Sequence, residues 1–510
     1  MTRSAPLLLD GASLSVADVL DVALRRRRVA LSDAARARMQ TTRDVVAGIV
    51  ARNEVVYGVT TGFGKLSDVH IPPDQLAQLQ VNLVRSHVAG VGPELPEPEV
   101  RAMMLLRANV MAKGYSGSRP DVPDLICAML NAGLWPVVHE QGSVGASGDL
   151  SPLAELAVTL IGEGELHTRD GARRPAGEAL SAAALAPLTL HPKEGISLIN
   201  GTQAHTAIAA LAVAEARTLW ETAHAAGAMT LEALKGTPTA FDARIHDARG
   251  QEGQRDSAAL LRALLVDSPL RESHRDGDPR VQDAYALRCM PQVHGPVLDA
   301  LRFAEGLIWR ELNAATDNPL VFDNGEMLSG GNFHGQAVAM ALDVLAIALT
   351  NLAVMAERRI DRLVHPDLNE GLPPFLSNGA GLNSGFMMAQ VTAASLASEC
   401  KVLAHPASVD TIPTDGSKED VVPMAMGAAW KLRRIVGNVR NVLAIELMCA
   451  AQGLDCRRPL RSSAPIERVH EAIRRLVAPL AADRMLSPDI HAIAQAITRR
   501  EFVAVERTVL

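Results

Sequence analysis

The tripeptide Ala146-Ser147-Gly148 lies within Gly142-Ser143-Val144-Gly145-Ala146-Ser147-Gly148-Asp149-Leu150-Ser151-Pro152, and its residue types permit a reaction of the backbone itself. In a tight loop the amide nitrogen of Gly148 can be pressed onto the carbonyl carbon of Ala146. Ring closure with loss of two waters then gives a methylidene-imidazolone. Ser147 supplies the hydroxyl that leaves and so creates an exocyclic methylene. Gly148 leaves the attacking nitrogen unhindered and permits backbone angles that other residues avoid. The product is an electrophile that no ordinary side chain provides. A Gly/Ser linker into a helix, with Ser151 as N-cap and Pro152 at the first helical position, accounts for a helix start there but not for the tripeptide.

Other signals fail. Gly62-Phe63-Gly64-Lys65 resembles the end of a phosphate loop, but Val59 stands where the first glycine belongs and Leu66 where Ser or Thr belongs. Asn200-Gly201-Thr202 is a formal glycosylation sequon, which matters only in a secreted chain. Histidines form no zincin pair and acidic residues no EF-hand loop, so no metal is expected. The run Arg25 to Arg28 follows an apolar helical pattern, where positive charge near a helix C-terminus is favourable, so no nucleic-acid partner is expected.

The chain that must position the tripeptide has 510 residues, 48% hydrophobic and 21% charged, with 50 Lys plus Arg against 57 Asp plus Glu. That is globular composition with a mild acidic excess, and its length calls for two or more structural units. Five cysteines without metal-type spacing, and no signal-peptide pattern, predict a reduced, cytoplasmic protein. Alanine and leucine recur at helical spacing almost throughout, and strand alternation is confined to short pieces such as Pro6 to Val16 around Asp10-Gly11. The fold class is therefore mainly α. Long helices are expected over Asp33 to Arg52, Gly195 to Thr222, Gln292 to Asn313, Gly335 to Arg362 and Val421 to Gln452. The apolar stretch Ala341 to Ala356 is interrupted by Asp343 and Asn351 and reads as a buried helix, not a membrane span. A change of texture near Pro192 divides a loop-and-helix domain over 1–192, carrying the tripeptide, from a long-helix bundle and C-terminal helical region over 193–510. Small Ala-rich faces leave apolar surface for neighbours in the chain or on other subunits.

Gly142 to Ala154 resembles the prosthetic-group segment of the aromatic amino acid ammonia-lyases. Further motifs follow in family order. Tyr57-Gly58-Val59-Thr60-Thr61-Gly62-Phe63-Gly64 is similar to the tyrosine loop, and Leu198-Ile199-Asn200-Gly201-Thr202-Gln203 to the asparagine segment. Then come Gln282-Asp283-Ala284-Tyr285-Ala286-Leu287-Arg288-Cys289, Thr316 to Leu320, Ser329 to His334, and Lys418-Glu419-Asp420. Only three tyrosines occur in the chain, and Tyr57 and Tyr285 fall inside these motifs. A phenol acting as base needs a lowered pKa or a neighbour that takes up its proton. Tyr57, on a Gly/Thr loop, is the expected base for the β-proton, with Tyr285 and Glu419 as competitors. Arg288 is the only cation in its motif, and its planar fork suits a substrate carboxylate. The resemblance places Asn200 and Gln282 in the substrate pocket and Phe333 beside the electrophile.

The pair Ser86-His87 is that of histidine-specific members, where tyrosine- and phenylalanine-specific ones carry leucine in place of His87. An imidazole can exchange an N–H···N hydrogen bond with a substrate imidazole, which a hydrocarbon ring could not satisfy. Glu419 can hold that imidazole or move its proton. Lys418 departs from the glutamine usual in the family and puts a positive charge beside Glu419. The resemblance thus implies non-oxidative elimination of ammonia from L-histidine to trans-urocanate, the opening step of histidine degradation. It also implies a prosthetic group formed autocatalytically from Ala146, Ser147 and Gly148, no external cofactor, and a homotetramer with active sites shared among subunits. Two alternatives remain: a tyrosine or phenylalanine lyase or 2,3-aminomutase, and a helical scaffold without catalysis.

Overall fold

A computed structural model describes residues 5–503, and helices dominate it. Of the expected strand piece only Leu7–Leu9 is extended. It pairs in parallel with Val29–Leu31 across the helix Val16–Arg25, not in a hairpin. The reason lies in the polar residues: the Asp10 carboxylate accepts from the amides of Ala12 and Ser13, and Ser15 with Asp18 forms a capping box, so the chain turns straight into a helix. Arg25 and Arg27 of the basic run pair with Asp21 and Asp18.

Four of the five long helices lie within a few residues of expectation, at Asp33–Ala51, Met290–Leu312, Gln336–Val364 and Ala425–Asp455. The fifth is broken. Glu194–Ile199 and Gln203–Ala233 are separate helices, because Asn200 is extended and Gly201 has φ +139°. Apolar periodicity runs through that break and cannot report it. A second correction concerns Ser151. The helix is Leu150–Leu160 with Asp149 in the N-cap position, while the Ser151 hydroxyl accepts from the amide of Ala89. Gln336–Val364 is long and apolar enough to cross a membrane, with a mean hydropathy of 2.1, yet 67% of that window is buried inside the molecule, as in a core helix.

The chain forms two compact units. The first holds the chain up to Leu211 with Ala304–Asp343 and Pro406–Trp430, and the second holds Ala212–Phe303, Val344–His405 and the chain from Lys431 on. They are interleaved, so neither coincides with 1–192 or 193–510. In the first, the helix Glu97–Ala112 is buried along nearly its whole length, Arg101 and Arg107 included. In the second, Arg359 and Glu446 form a fully buried ion pair between Gln336–Val364 and Ala425–Asp455.

Candidate active site

The helix Leu76–His87 ends on the two residues expected to choose the substrate. The Leu83 carbonyl, one turn before the helix end, accepts from the side chains of both: Ser86 Oγ at 3.0 Å and His87 Nδ1 at 2.8 Å. A carbonyl only accepts, so His87 carries its proton on Nδ1, and Nε2 is left as an acceptor.

The Gly/Thr loop brings Tyr57 edge-on to Phe63, and its phenol oxygen accepts from the Gly64 amide at 3.4 Å. Burial raises the Tyr57 pKa above its ordinary 10, and the negative charges of Asp415, Glu419 and Asp317 add to the rise. This is opposite to the lowering that a phenolate base requires, so the first unit by itself keeps the phenol protonated.

The tripeptide lies against a second loop, the Asn200–Thr202 break. Gly148 has φ +74°, and a Cβ there would fall 1.9 Å from the Gly201 carbonyl oxygen, so no other residue fits. Gly201 brackets it on both sides: Asp149 N–H donates to its carbonyl at 2.7 Å, and its own N–H donates to the Ser147 carbonyl at 3.3 Å. The Asp149 carboxylate explains why it does not cap its own helix. It caps Gln203–Ala233 instead, accepting from the amides of Ala204 and His205 at 2.9 and 3.0 Å, from His205 Nδ1 and from Ser143 Oγ. Burial pushes its pKa up, but the His205 charge and these hydrogen bonds outweigh burial and hold it below the usual carboxylate value.

Glu419 reaches the tripeptide from a turn of unusual backbone. Asp415, Gly416 and Ser417 all have positive φ, between 47 and 66°, a strain characteristic of functional sites. The turn is clamped by the Lys65 amide donating to Asp415 and by Gly64, which has no room for a Cβ beside that carboxylate. Ser147 Oγ donates to Glu419 Oε1, and Thr414 Oγ1 donates to Oε2 at 2.5 Å.

Together these elements enclose a cavity of about 820 Å³, a size usual for small-molecule sites. Its lining includes Tyr57, Ser86, His87, Ser147, Asn200, Phe333 and Glu419, with Leu79, Leu83 and Ile196 supplying apolar wall. An adjoining cavity of about 650 Å³ shares Tyr57, Ser147, Phe333 and Glu419 and adds Ala146 and Lys418. Lys418 is the one Lys or Arg among the described residues lining either. Asn200 is buried and donates to the Asn318 carbonyl at 3.2 Å. Gln282, Tyr285 and Arg288 are not in the lining. They lie in the second unit, where Tyr285 is 70% exposed and the Arg288 guanidinium stands 4.7 Å from its ring centroid. Sequence reasoning missed Asp415 and Asn318 in the lining and Asp149 and Gly201 behind it. Asn318, Asp149 and Gly201 sat inside quoted motifs without a role, and Asp415 had only the Asp-Gly turn signal.

The arrangement can hold an aromatic or imidazole ring against Leu83 and His87 and present a carboxylate and a phenol to the reacting atoms. The aromatic amino acid lyase family matches residues 14–475. A histidine ammonia-lyase of Koribacter versatilis is 54% identical over 506 residues, covering 97% of this chain and 98% of the relative. A crystal structure of histidine ammonia-lyase from Trypanosoma cruzi superposes with TM-score 0.91 at 41% identity, covering 99% of this chain and 96% of that one. Tyrosine aminomutase from Streptomyces globisporus superposes with TM-score 0.93 at 40% identity, covering 98% of each. The fold is thus similar in proteins with different substrates.

Proposed function

The chain belongs to the aromatic amino acid lyase family, and from that premise we infer that its cavity eliminates ammonia from L-histidine, without oxidation, to give trans-urocanate. The carrying observation is His87, whose Nδ1–H is committed to Leu83 and whose Nε2 is left to accept a substrate imidazole N–H. Curated relatives named for the same reaction at about half identity support this reading over a tyrosine or phenylalanine one.

Ala146, Ser147 and Gly148 fit a methylidene-imidazolone made from their own backbone. Gly148 occupies a cradle with no space for a Cβ, and the Ser147 hydroxyl that must leave already donates to a carboxylate. Such a group supplies an electrophilic methylene that withdraws electrons from the substrate's amine or imidazole and eases departure of ammonia. The remaining chemistry belongs to the side chains. Loss of the Ser147 hydroxyl frees Glu419 Oε1 toward the cavity, where it can hold the ring nitrogen opposite to the one that His87 binds. Tyr57 is the group assigned to remove the β-proton, and its raised pKa means that positive charge must reach it first. The substrate ammonium is one such charge and Arg288 another. Asn200 orients the substrate carboxylate.

Arg288, Tyr285 and Gln282 act, in this reading, in the cavity of another copy of the chain within a homotetramer. An exposed apolar stripe on Gln336–Val364, formed by Met340, Val344, Ile347 and Val354 with Asn351 between the last two, supports assembly. The five cysteines carry no disulfide, in keeping with a reducing, cytoplasmic setting. The test is an intact mass combined with urocanate formation against a panel of aromatic amino acids. A protein short of two waters that turns over histidine fastest supports the proposal. Preference for tyrosine would move the substrate, and full mass without turnover would leave a scaffold. Ser147→Ala should fold and lose nearly all activity.

A further inference from the structure

Arg107 is fully buried in the helix Glu97–Ala112, and among the described residues its guanidinium meets no carboxylate at ion-pair distance. It donates to the carbonyls of Ser197 at 2.7 Å and Asn200 at 3.0 Å and to the side-chain carbonyl of Gln203, while Nε finds no acceptor. Burial lowers its pKa to about 10, with Asp317 and Asp149 pulling the other way. Burying a cation without a paired anion is costly. Three acceptors converging on it therefore point to a task other than stability.

Those acceptors define the task. Ser197 and Asn200 close the helix Glu194–Ile199, where exposed carbonyls and the helix dipole favour a cation. A Cβ on Gly201 would lie 2.7 Å from Arg107 Nη2 and 2.5 Å from Gln203 Oε1, so the guanidinium backs directly onto the turn. On its other side that turn brackets Ser147, Gly148 and Asp149 through the backbone hydrogen bonds described above. We propose that Arg107 is a positioning residue for ring closure, fixing the Asn200–Gly201 turn as the surface against which Ala146-Ser147-Gly148 is compressed.

The proposal rests on the prosthetic-group reading. In the step it serves, the Gly148 nitrogen bonds to the Ala146 carbonyl carbon. One water leaves with the Ala146 oxygen and the amide protons of Gly148 and Ser147, giving the ring C=N bond. A second leaves with the Ser147 hydroxyl and its Cα proton, giving the methylene. No oxidant or reductant is needed.

Arg107→Lys keeps the charge but cannot span both carbonyls, and Gln203→Leu keeps Arg107 while removing one acceptor. Each full-length variant is compared with the parent by circular dichroism, melting and intact mass. The expected result is native-like melting, with most Arg107→Lys protein retaining both waters that the parent lacks, and Gln203→Leu intermediate. A folded Arg107→Lys as deficient in mass as the parent overturns the role of Arg107. A parent that keeps both waters overturns the underlying reading instead. Should Arg107→Lys fail to fold, complete ring closure in Gln203→Leu overturns the proposal, and failure of both to fold overturns it by assigning Arg107 to folding.

Discussion

Replacing His87 with leucine removes the acceptor Nε2 while leaving a side chain of similar bulk on the same helical turn. The lost hydrogen bond leaves a substrate ring nitrogen facing Leu79 and Leu83. An unpaired polar group of that kind costs about 1–3 kcal/mol when fully desolvated. His87 is only half-buried, so water recovers part of the loss and the lower half of the range applies. About 1–2 kcal/mol corresponds to a fall in kcat/KM for histidine of roughly five- to thirtyfold. The contact is made before and during reaction alike, so the loss should appear mostly in KM. Urocanate absorbance over a histidine titration measures both constants, and the same variant is assayed with phenylalanine and tyrosine, whose turnover should fall less or rise. Intact mass should be unchanged, since His87 touches none of the ring-forming residues. Unaltered histidine kinetics in His87→Leu would refute the tautomer argument.

The pH dependence should follow Tyr57. In its proposed role as base its active form is deprotonated, and burial raises its pKa above the ordinary 10 in the first unit alone, so turnover should climb with rising pH. The climb in kcat should fall at lower pH than that in kcat/KM, because bound substrate brings a cation. Coincident limbs, or limbs that survive in Tyr57→Phe, would remove the phenol from this role. Lys418→Gln should raise KM by no more than about fivefold, an effect erased by high salt, since the lysine is exposed. A larger, salt-independent loss would place Lys418 in the chemistry. Ile347→Glu sets a charge in the exposed stripe and should yield a smaller species by light scattering together with reduced turnover. An unchanged mass and rate would show the stripe to be free surface.

Helix content was legible because Ala and Leu periodicity reports burial directly, as Gln336–Val364 shows by starting and ending within two residues of expectation. The break at Asn200–Thr202 was not, because it is set by one glycine angle and by Arg107, whose nearest acceptor is 90 residues away along the chain. The N-cap at Leu150–Leu160 was misassigned for a related reason: Asp149 spends its carboxylate on a helix more than fifty residues later. Seven candidate residues converge on one cavity because their motifs keep residue types that chemistry requires. Gln282, Tyr285 and Arg288 stand in the other unit, and nothing in their spacing along the chain could have reported that.

The contact between Ser147 and Glu419 joins residues 272 positions apart. At ordinary rates of protein synthesis, the ribosome needs roughly a quarter of a minute to a minute to cover that distance. Arg107 is made before that stretch begins, and Asp149, Gly201 and Gln203 all fall within its first quarter. The nascent chain thus carries every residue that brackets the tripeptide long before it carries the carboxylate that accepts from the serine hydroxyl. Translation itself separates the two contacts in time, and a slow codon placed between the two segments would lengthen the interval without altering a single atom of the finished protein.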